Sequence, residues 1–222
     1  MGTHMNAERP LEEVRSQLFT GVLSDILDSV GRTGHVADLD FSQVVPGARV
    51  VGRAQTARAV RVSQAPAEPY KHLLTAIDAT GPGRVLVLAA EPTSASSLFG
   101  GLLASAIRAS GGEGVVVDGY ARDSDEIRKI GIPTLVRGFR PLDSFGRDEV
   151  VEISEPVTIG GVVVRQGDLV FGDDDGLVFV PSEIEDEIIG KAFAKLAIES
   201  KMHEALDGGM SVRQAFETFK VL

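Results

Sequence analysis

Arg122-Asp123, with Glu126 three residues further on, is the densest group of chemically useful side chains in the chain. It follows Val115-Val116-Val117, an apolar run of the kind that forms a strand buried on both faces. Ligands of α/β sheets gather beyond the carboxyl ends of such strands, which is where Arg122-Asp123 falls. On a helix opened by Asp123, Glu126 lies about 60° round from it on the same face, so the two carboxylates could share a hydrated cation. Arg122 offers a planar fork of donors to an oxyanion. A second group lies upstream, where Phe99-Gly100-Gly101-Leu102-Leu103 puts a glycine pair at a helix start. The free N–H groups of a first helical turn bind carboxylate or phosphate. Plainer readings stand beside these: Asp before a helix commonly caps it, Asp-x-x-Glu is close to a capping box, and a glycine pair is equally a turn. Local sequence leaves both sets of readings open.

Elimination narrows the chemistry. The 222 residues contain no cysteine, which excludes disulfides, thiolate nucleophiles, thiolate zinc sites and iron–sulfur clusters. There is no G-x-x-x-x-G-K-[ST] loop. Gly81-Pro82-Gly83 does not extend to G-x-G-x-x-G, and G-x-S-x-G is missing. His35, His72 and His203 are not in metal-ligand spacing with one another, so a metal would be held mainly by carboxylates, as Mg²⁺ or Mn²⁺ is. His72 on a predicted helix reads as structural. Asp173-Asp174-Asp175-Gly176 reads as a tight turn, since a calcium loop alternates its acids. Arg53, Arg58 and Arg61 read as a solvated strand face.

The elements that must position these residues are legible in outline. Leu11, Val14, Leu18, Val22, Ile26 and Val30 recur at helical spacing and predict one helix over 11–30, stopped at Gly31. Ala54 to Val62 alternates as a strand, Tyr70 to Ala79 reads as a short helix, and Val85 to Ala90 as a buried strand. A helix follows from Leu102 to Ala109, ended by Gly111-Gly112. After the strand at Val115–Val117 comes a helix from Asp123 to Ile130, capped by Gly131, and a strand at Pro133–Val136. The last third changes to short strands at Val150–Ser154, Val157–Ile159, Val162–Arg165, Leu169–Phe171 and Leu177–Val180. Hairpin-type turns separate them at Gly160-Gly161, Gly167-Asp168 and Asp174-Asp175-Gly176. Ser182-Glu183-Ile184-Glu185 predicts a capping box opening a long C-terminal helix. No linker or internal repeat interrupts the chain, so one α/β domain with a mixed sheet is expected over 6–222. Residues 1–5, Met-Gly-Thr-His-Met, look like an expression scar. With 43% hydrophobic and 24% charged residues the composition is that of a soluble globular protein, and a net charge of −10 argues against binding nucleic-acid backbones. No apolar run is long enough to span a membrane, and a cytoplasmic location is the expectation.

Gly101, twenty intervening residues, Arg122-Asp123, two residues and Glu126 spell G-x20-R-D-x2-E. That spacing resembles the motif of the RraA-like branch of the 4-hydroxy-4-methyl-2-oxoglutarate aldolase family, the class II pyruvate aldolases. Leu23-Ser24-Asp25-Ile26-Leu27-Asp28, Gly114 to Gly119, Pro133 to Gly138, and Gly167 to Val170 with Asp173 to Pro181 are similar to further stretches of that family. The resemblance implies a mixed-sheet α/β sandwich of the swivelling-domain type, assembled as a trimer or a hexamer. It implies a divalent-metal-dependent C–C lyase acting on small 2-oxo acids. The leading case is retro-aldol cleavage of 4-hydroxy-4-methyl-2-oxoglutarate to pyruvate, with oxaloacetate decarboxylation as a side activity. Gly100, Gly101, Leu102 and Leu103 would bind the pyruvyl carboxylate, Arg122 would contact the pyruvyl oxygen as the catalytic residue, Asp123 would ligate Mg²⁺ or Mn²⁺, and Glu126 would reach it through water. The aldolases that degrade aromatic acids carry Asp where this chain has Gly101, and Glu126 stands in for that missing carboxylate. The alternative from the same resemblance is a regulator that binds and inhibits the endoribonuclease RNase E.

Overall fold

The computed structural model describes residues 9–221, so the expected scar at residues 1–5 lies outside the described residues. The first half runs α1 (Leu11–Gln17), α2 (Thr20–Ser29), β1 (Ser42–Gln43), β2 (Val50–Arg61), α3 (Lys71–Asp78), β3 (Arg84–Ala90), β4 (Ser97–Phe99) and α4 (Gly101–Ala109). The second runs β5 (Gly114–Ala121), α5 (Ser124–Ile130), β6 (Thr134–Phe139), β7 (Asp148–Ile153), β8 (Val157–Ile159), β9 (Val162–Val164), β10 (Leu169–Gly172), β11 (Leu177–Val180), α6 (Glu185–Asp207) and α7 (Val212–Phe219). Among the described residues, nine strands form one mixed sheet in the order β1-β6-β5-β3-β2-β10-β11, with β4 alongside β5 and β7 alongside β2. Strands β2, β3, β4, β5 and β6 pair in parallel, while the flanking pairings are antiparallel. The mixed α/β fold expected from the sequence is the one observed.

The continuous apolar runs are buried on both faces, as their composition requires. On β3, Leu86 and Leu88 pack with Leu73, Ile77, Ile107 and Ile127 from α3, α4 and α5. The alternate residues Val85, Val87 and Ala89 face Val157, Ile159, Val162 and Val164 of the β8–β9 hairpin. Each fully buried Leu or Val contributes roughly 1.5–3 kcal/mol, so neither face of this strand has a polar alternative. A third cluster joins Leu23 and Leu27 of α2 to Ile188 and Ile189 of α6 over Phe171 and Val178 of β10 and β11.

Several local expectations are corrected. The single helix over 11–30 is two, because Leu18 and Phe19 are both extended. Leu18 is fully buried there, and the groups freed by the break find outside partners. Arg49 Nη1 donates to the carbonyls of Arg15 and Leu18 at 2.6 and 2.9 Å, and the Asp173 carboxylate accepts from the Thr20 N–H and hydroxyl at 2.8 and 2.7 Å. Asp173 does this from the β10–β11 turn. The capping box at Ser182–Glu185 is absent. Ser182–Ile184 is a 3-10 turn whose first N–H donates to buried Asp168 at 3.1 Å, and Glu185 pairs instead with Arg53 at 2.9 Å. A reciprocal box occurs at Ser211 and Gln214, opening α7. The arginine face is not simply solvated either, since Arg58 forks onto Glu152 with contacts of 2.6 and 2.7 Å.

Candidate active site

Strands β4 and β5 lie side by side in parallel, with Ser97 opposite Tyr120 and Phe99 opposite Ala121. The chain therefore leaves both strands at one level, through Gly100 into α4 and through Arg122-Asp123 into α5. The Arg122 N–H donates to the Phe99 carbonyl at 3.0 Å and extends the pairing one step beyond the strands. Two segments more than twenty positions apart in sequence become neighbours by this pairing alone.

Asp123 occupies the N-cap position of α5, but its side chain does not cap the helix. Its backbone is left-handed, at φ 58° and ψ 39°, which turns the carboxylate away from the first turn of α5. Left-handed backbone costs a non-glycine residue about 1–2 kcal/mol, with Asp among the types that tolerate it best. Such a cost at a site points to function. The freed carboxylate faces α4. Its Oδ2 accepts from the Gly101 N–H at 3.3 Å and lies 3.7 Å from Arg122 Nε. The capping reading of Asp123 is thereby set aside.

Both glycines are needed for close approach. A Cβ at Gly100 would lie 2.8 Å from Asp123 Oδ2. A Cβ at Gly101 would lie 2.1 Å from Glu126 Oε2 and 2.4 Å from its Cδ. Glu126 thus fills the space that a side chain at position 101 would take. The helix start at Gly100 has no side-chain cap, so the first-turn N–H groups of α4 have no partner within the helix.

Beside these groups is a cleft of about 220 Å³ whose walls include Tyr70, Leu73, Leu98, Leu103, Arg122 and Asp143. Arg122 Nη1 lies 3.2 Å from Asp143 Oδ1, and the Tyr70 hydroxyl donates to Asp143 Oδ2 at 3.0 Å. Burial, and then the hydrogen bond to Asp143, hold the Tyr70 hydroxyl above the usual phenol range, so it stays a donor at neutral pH. Sequence reasoning missed Tyr70 and Asp143, which sit in loops without any motif spacing. His72 is tied to the Val150 carbonyl at 3.1 Å and joins α3 to β7, in keeping with a structural role.

Among the described residues, no three Asp, Glu or His side chains gather closely enough to cage a metal by themselves. The oxygen donors present fit a cation that keeps most of its water, as Mg²⁺ does when held by one or two carboxylates. The Asp123 carboxylate is accessible, unengaged by its own helix and cradled against a glycine, while Glu126 is within one turn of it. Leu102 exposes its side chain beside the same helix start, leaving its backbone as the part able to bind.

The family described as RraA-like (Aldolase/RraA) matches residues 20–179. A protein of Halalkalibacterium halodurans named "Putative 4-hydroxy-4-methyl-2-oxoglutarate aldolase" is 28% identical over 200 residues, covering 89% of this chain and 90% of that one. Protein DlpA of Legionella pneumophila is 26% identical over 203 residues, covering 89% of this chain, which spans only 32% of DlpA. Among solved structures, Streptomyces coelicolor RraAS2 superposes with a TM-score of 0.76 at 28% identity, covering 89% of this chain and 98% of that one. RraAS2 is described as an unusual member of the RNase ES inhibitor RraA protein family. Among the described residues, no helix is long and apolar enough to cross a membrane.

Proposed function

The chain belongs to the RraA-like (Aldolase/RraA) family, and we propose that it is a divalent-metal-dependent lyase that cleaves C–C bonds of small 2-oxo acids. The leading substrate is 4-hydroxy-4-methyl-2-oxoglutarate, split to two molecules of pyruvate, with oxaloacetate decarboxylation as the side reaction. Both reactions break the C3–C4 bond of a 2-oxo acid and leave its electron pair as a pyruvate enolate. In the aldol cleavage the C4 hydroxyl gives its proton to water as C4 becomes the carbonyl of the second pyruvate. In the decarboxylation the C4 carboxylate leaves as CO2. A proton from water returns to C3 in each case, so one site serves both. The reading is carried by a single observation: Asp123 sits at a cap position, in strained backbone, with its carboxylate turned into the cleft instead of onto its helix.

The chain's own groups divide the work. The N–H groups of Leu102 and Leu103 at the α4 start bind the substrate carboxylate, helped by the helix dipole. Arg122 faces the 2-oxo oxygen, where negative charge develops as the C3–C4 bond breaks. Asp123 would hold Mg²⁺ or Mn²⁺, and Glu126 would face the water that such a cation keeps. When bound, the cation supplies Lewis-acid polarisation of the 2-oxo group. The leucines of the cleft wall limit water around the enolate before it is protonated at C3. Assembly as a trimer or hexamer goes with this reading.

The test is pyruvate release from a panel of 4-substituted 2-oxo acids and oxaloacetate, with and without EDTA. Metal-dependent release supports the proposal, and full release from chelated, metal-free protein overturns it. A regulatory reading, restraint of an RNase E-type endoribonuclease, draws on the likeness to RraAS2. It gives no reason for the strained, outward-turned carboxylate of Asp123, and the lyase reading does.

A further inference from the structure

Arg122 is the single basic residue among the described residues that line the cleft, and two carboxylates approach it. They are not equivalent. Asp123 lies 3.7 Å from Nε, a loose contact, and also accepts from the Gly101 N–H. Asp143 lies 3.2 Å from Nη1, and its other oxygen accepts from the Tyr70 hydroxyl at 3.0 Å and the Phe145 N–H at 3.4 Å.

Asp143 is thereby held from several sides. Its loop is stitched to the sheet, because Asp143 bridges Ser97 of β4 and the Ser97 N–H donates to the Leu142 carbonyl at 2.8 Å. Arg147 Nη1 donates to the Asp143 carbonyl at 3.1 Å. Tyr70 reaches in from the other wall in left-handed backbone, φ 63°, a conformation that a bulky residue adopts only at a cost. Its ring packs near Phe145, with centroids 6.1 Å apart.

From this geometry we infer that Asp143 is the positioning residue for Arg122, and that the Tyr70 hydroxyl fixes Asp143 in turn. The inference rests on the lyase reading for what Arg122 then does. One carboxylate cannot serve a cation and aim a guanidinium equally well. Asp123 is the better placed for the cation, having no other firm partner, and Asp143 is the better placed for the guanidinium. The planar fork has five donors, so an ion pair at Nη1 draws the guanidinium towards Asp143 while leaving other N–H groups for an oxyanion. The Tyr70 hydroxyl donates to Asp143, so its proton is engaged in orienting that carboxylate. Asp143 acts through Arg122 and touches no reacting atom.

The test combines Asp143→Asn and Tyr70→Phe with Arg122→Lys and reads kcat, KM and melting temperature. It also measures the Mg²⁺-dependent binding of oxalate, a planar mimic of a 2-oxo acid enolate, by calorimetry. Residues that orient a working group typically cost about 10–100-fold when altered, so Asp143→Asn should lower kcat by that factor with KM changed little. Tyr70→Phe should lower it by less. In the Arg122→Lys background neither change should lower kcat or oxalate affinity further, because the group they aim is already gone. Multiplicative losses in that background, or a wild-type kcat for Asp143→Asn, would overturn the inference. A purely structural Asp143 would lower the melting temperature and act equally in both backgrounds. If Asp143→Asn does not fold, Tyr70→Phe answers the same question. If no 2-oxo acid releases pyruvate, the lyase reading fails by itself. The oxalate cycle then still decides whether Asp143 works through Arg122.

Discussion

Replacing Gly101 with alanine adds one methyl group at the point where the site is tightest. That carbon would sit 2.1 Å from Glu126 Oε2, 2.4 Å from Cδ and 2.9 Å from Cγ, so the whole outer part of the Glu126 side chain must move. Glu126 is exposed, and moving it to a poorer rotamer costs about 0.5–1.5 kcal/mol. Alanine is the better helix former by up to about 1 kcal/mol, so the two effects nearly cancel and the stability of Gly101→Ala should stay close to wild type. Activity should not. With Glu126 displaced from the cation's water shell, pyruvate release should fall about 10–100-fold, the usual effect of losing an outer ligand. The loss should resemble that of Glu126→Ala. Adding Gly101→Ala to Glu126→Ala should then cost no further activity and raise stability by up to about 1 kcal/mol, since the clash is gone. Pyruvate release at several Mg²⁺ concentrations, with denaturant unfolding of all four proteins, measures both quantities. An equal activity loss from Gly101→Ala with and without the Glu126 side chain would mean that the methyl group obstructs something other than Glu126.

Asp123→Asn should abolish tight binding of Mg²⁺ in calorimetry while melting within a degree or two of wild type, because asparagine also tolerates left-handed backbone and no cap bond is lost. Retained metal affinity would mean that the cation is held elsewhere. Arg122→Lys should lower kcat for aldol cleavage and decarboxylation in parallel, by a hundredfold or more for the roughly 3 kcal/mol that such a donor supplies; unequal losses would separate the two reactions. Burial, and next the charge of Arg32, hold the His35 imidazole below its ordinary value of 6.5, so the folded chain keeps it neutral while the unfolded chain takes up a proton. The stability this contributes is present above pH 6.5 and is lost as the pH falls through the range below it, so His35→Gln should flatten the dependence of unfolding free energy on pH between about 7 and 5. An unchanged slope would remove His35 from the account.

Features whose physics is local were legible in the chain before any fold was known. Val85 to Ala90 and Val115 to Val117 are apolar at every position, and only a strand covered on both faces can hide them; the structure covers both. The turns at Gly160-Gly161 and Asp174-Asp175-Gly176, and the helices opening after Gly100 and Asp123, follow from residue types that favour or tolerate the backbone those points need. Spacing also singled out Arg122, Asp123 and Glu126, since residues so close in sequence are neighbours in any fold that makes a helix there. Other features were decided by the tertiary structure. The break at Leu18-Phe19 depends on Arg49 and Asp173, which are distant in sequence and supply the hydrogen bonds that an unbroken helix would have made for itself. Ser182 yields its N–H to Asp168 for the same reason. At the site, three residues of β4 carry too little pattern to read as a strand, yet their pairing with β5 is what brings Gly101 against Asp123 and Glu126. Whether Asp123 caps its helix or faces the cleft turned on the backbone conformation of one residue. Periodicity carries no information about that conformation, because neighbouring strands and loops fix it across space and not along the chain.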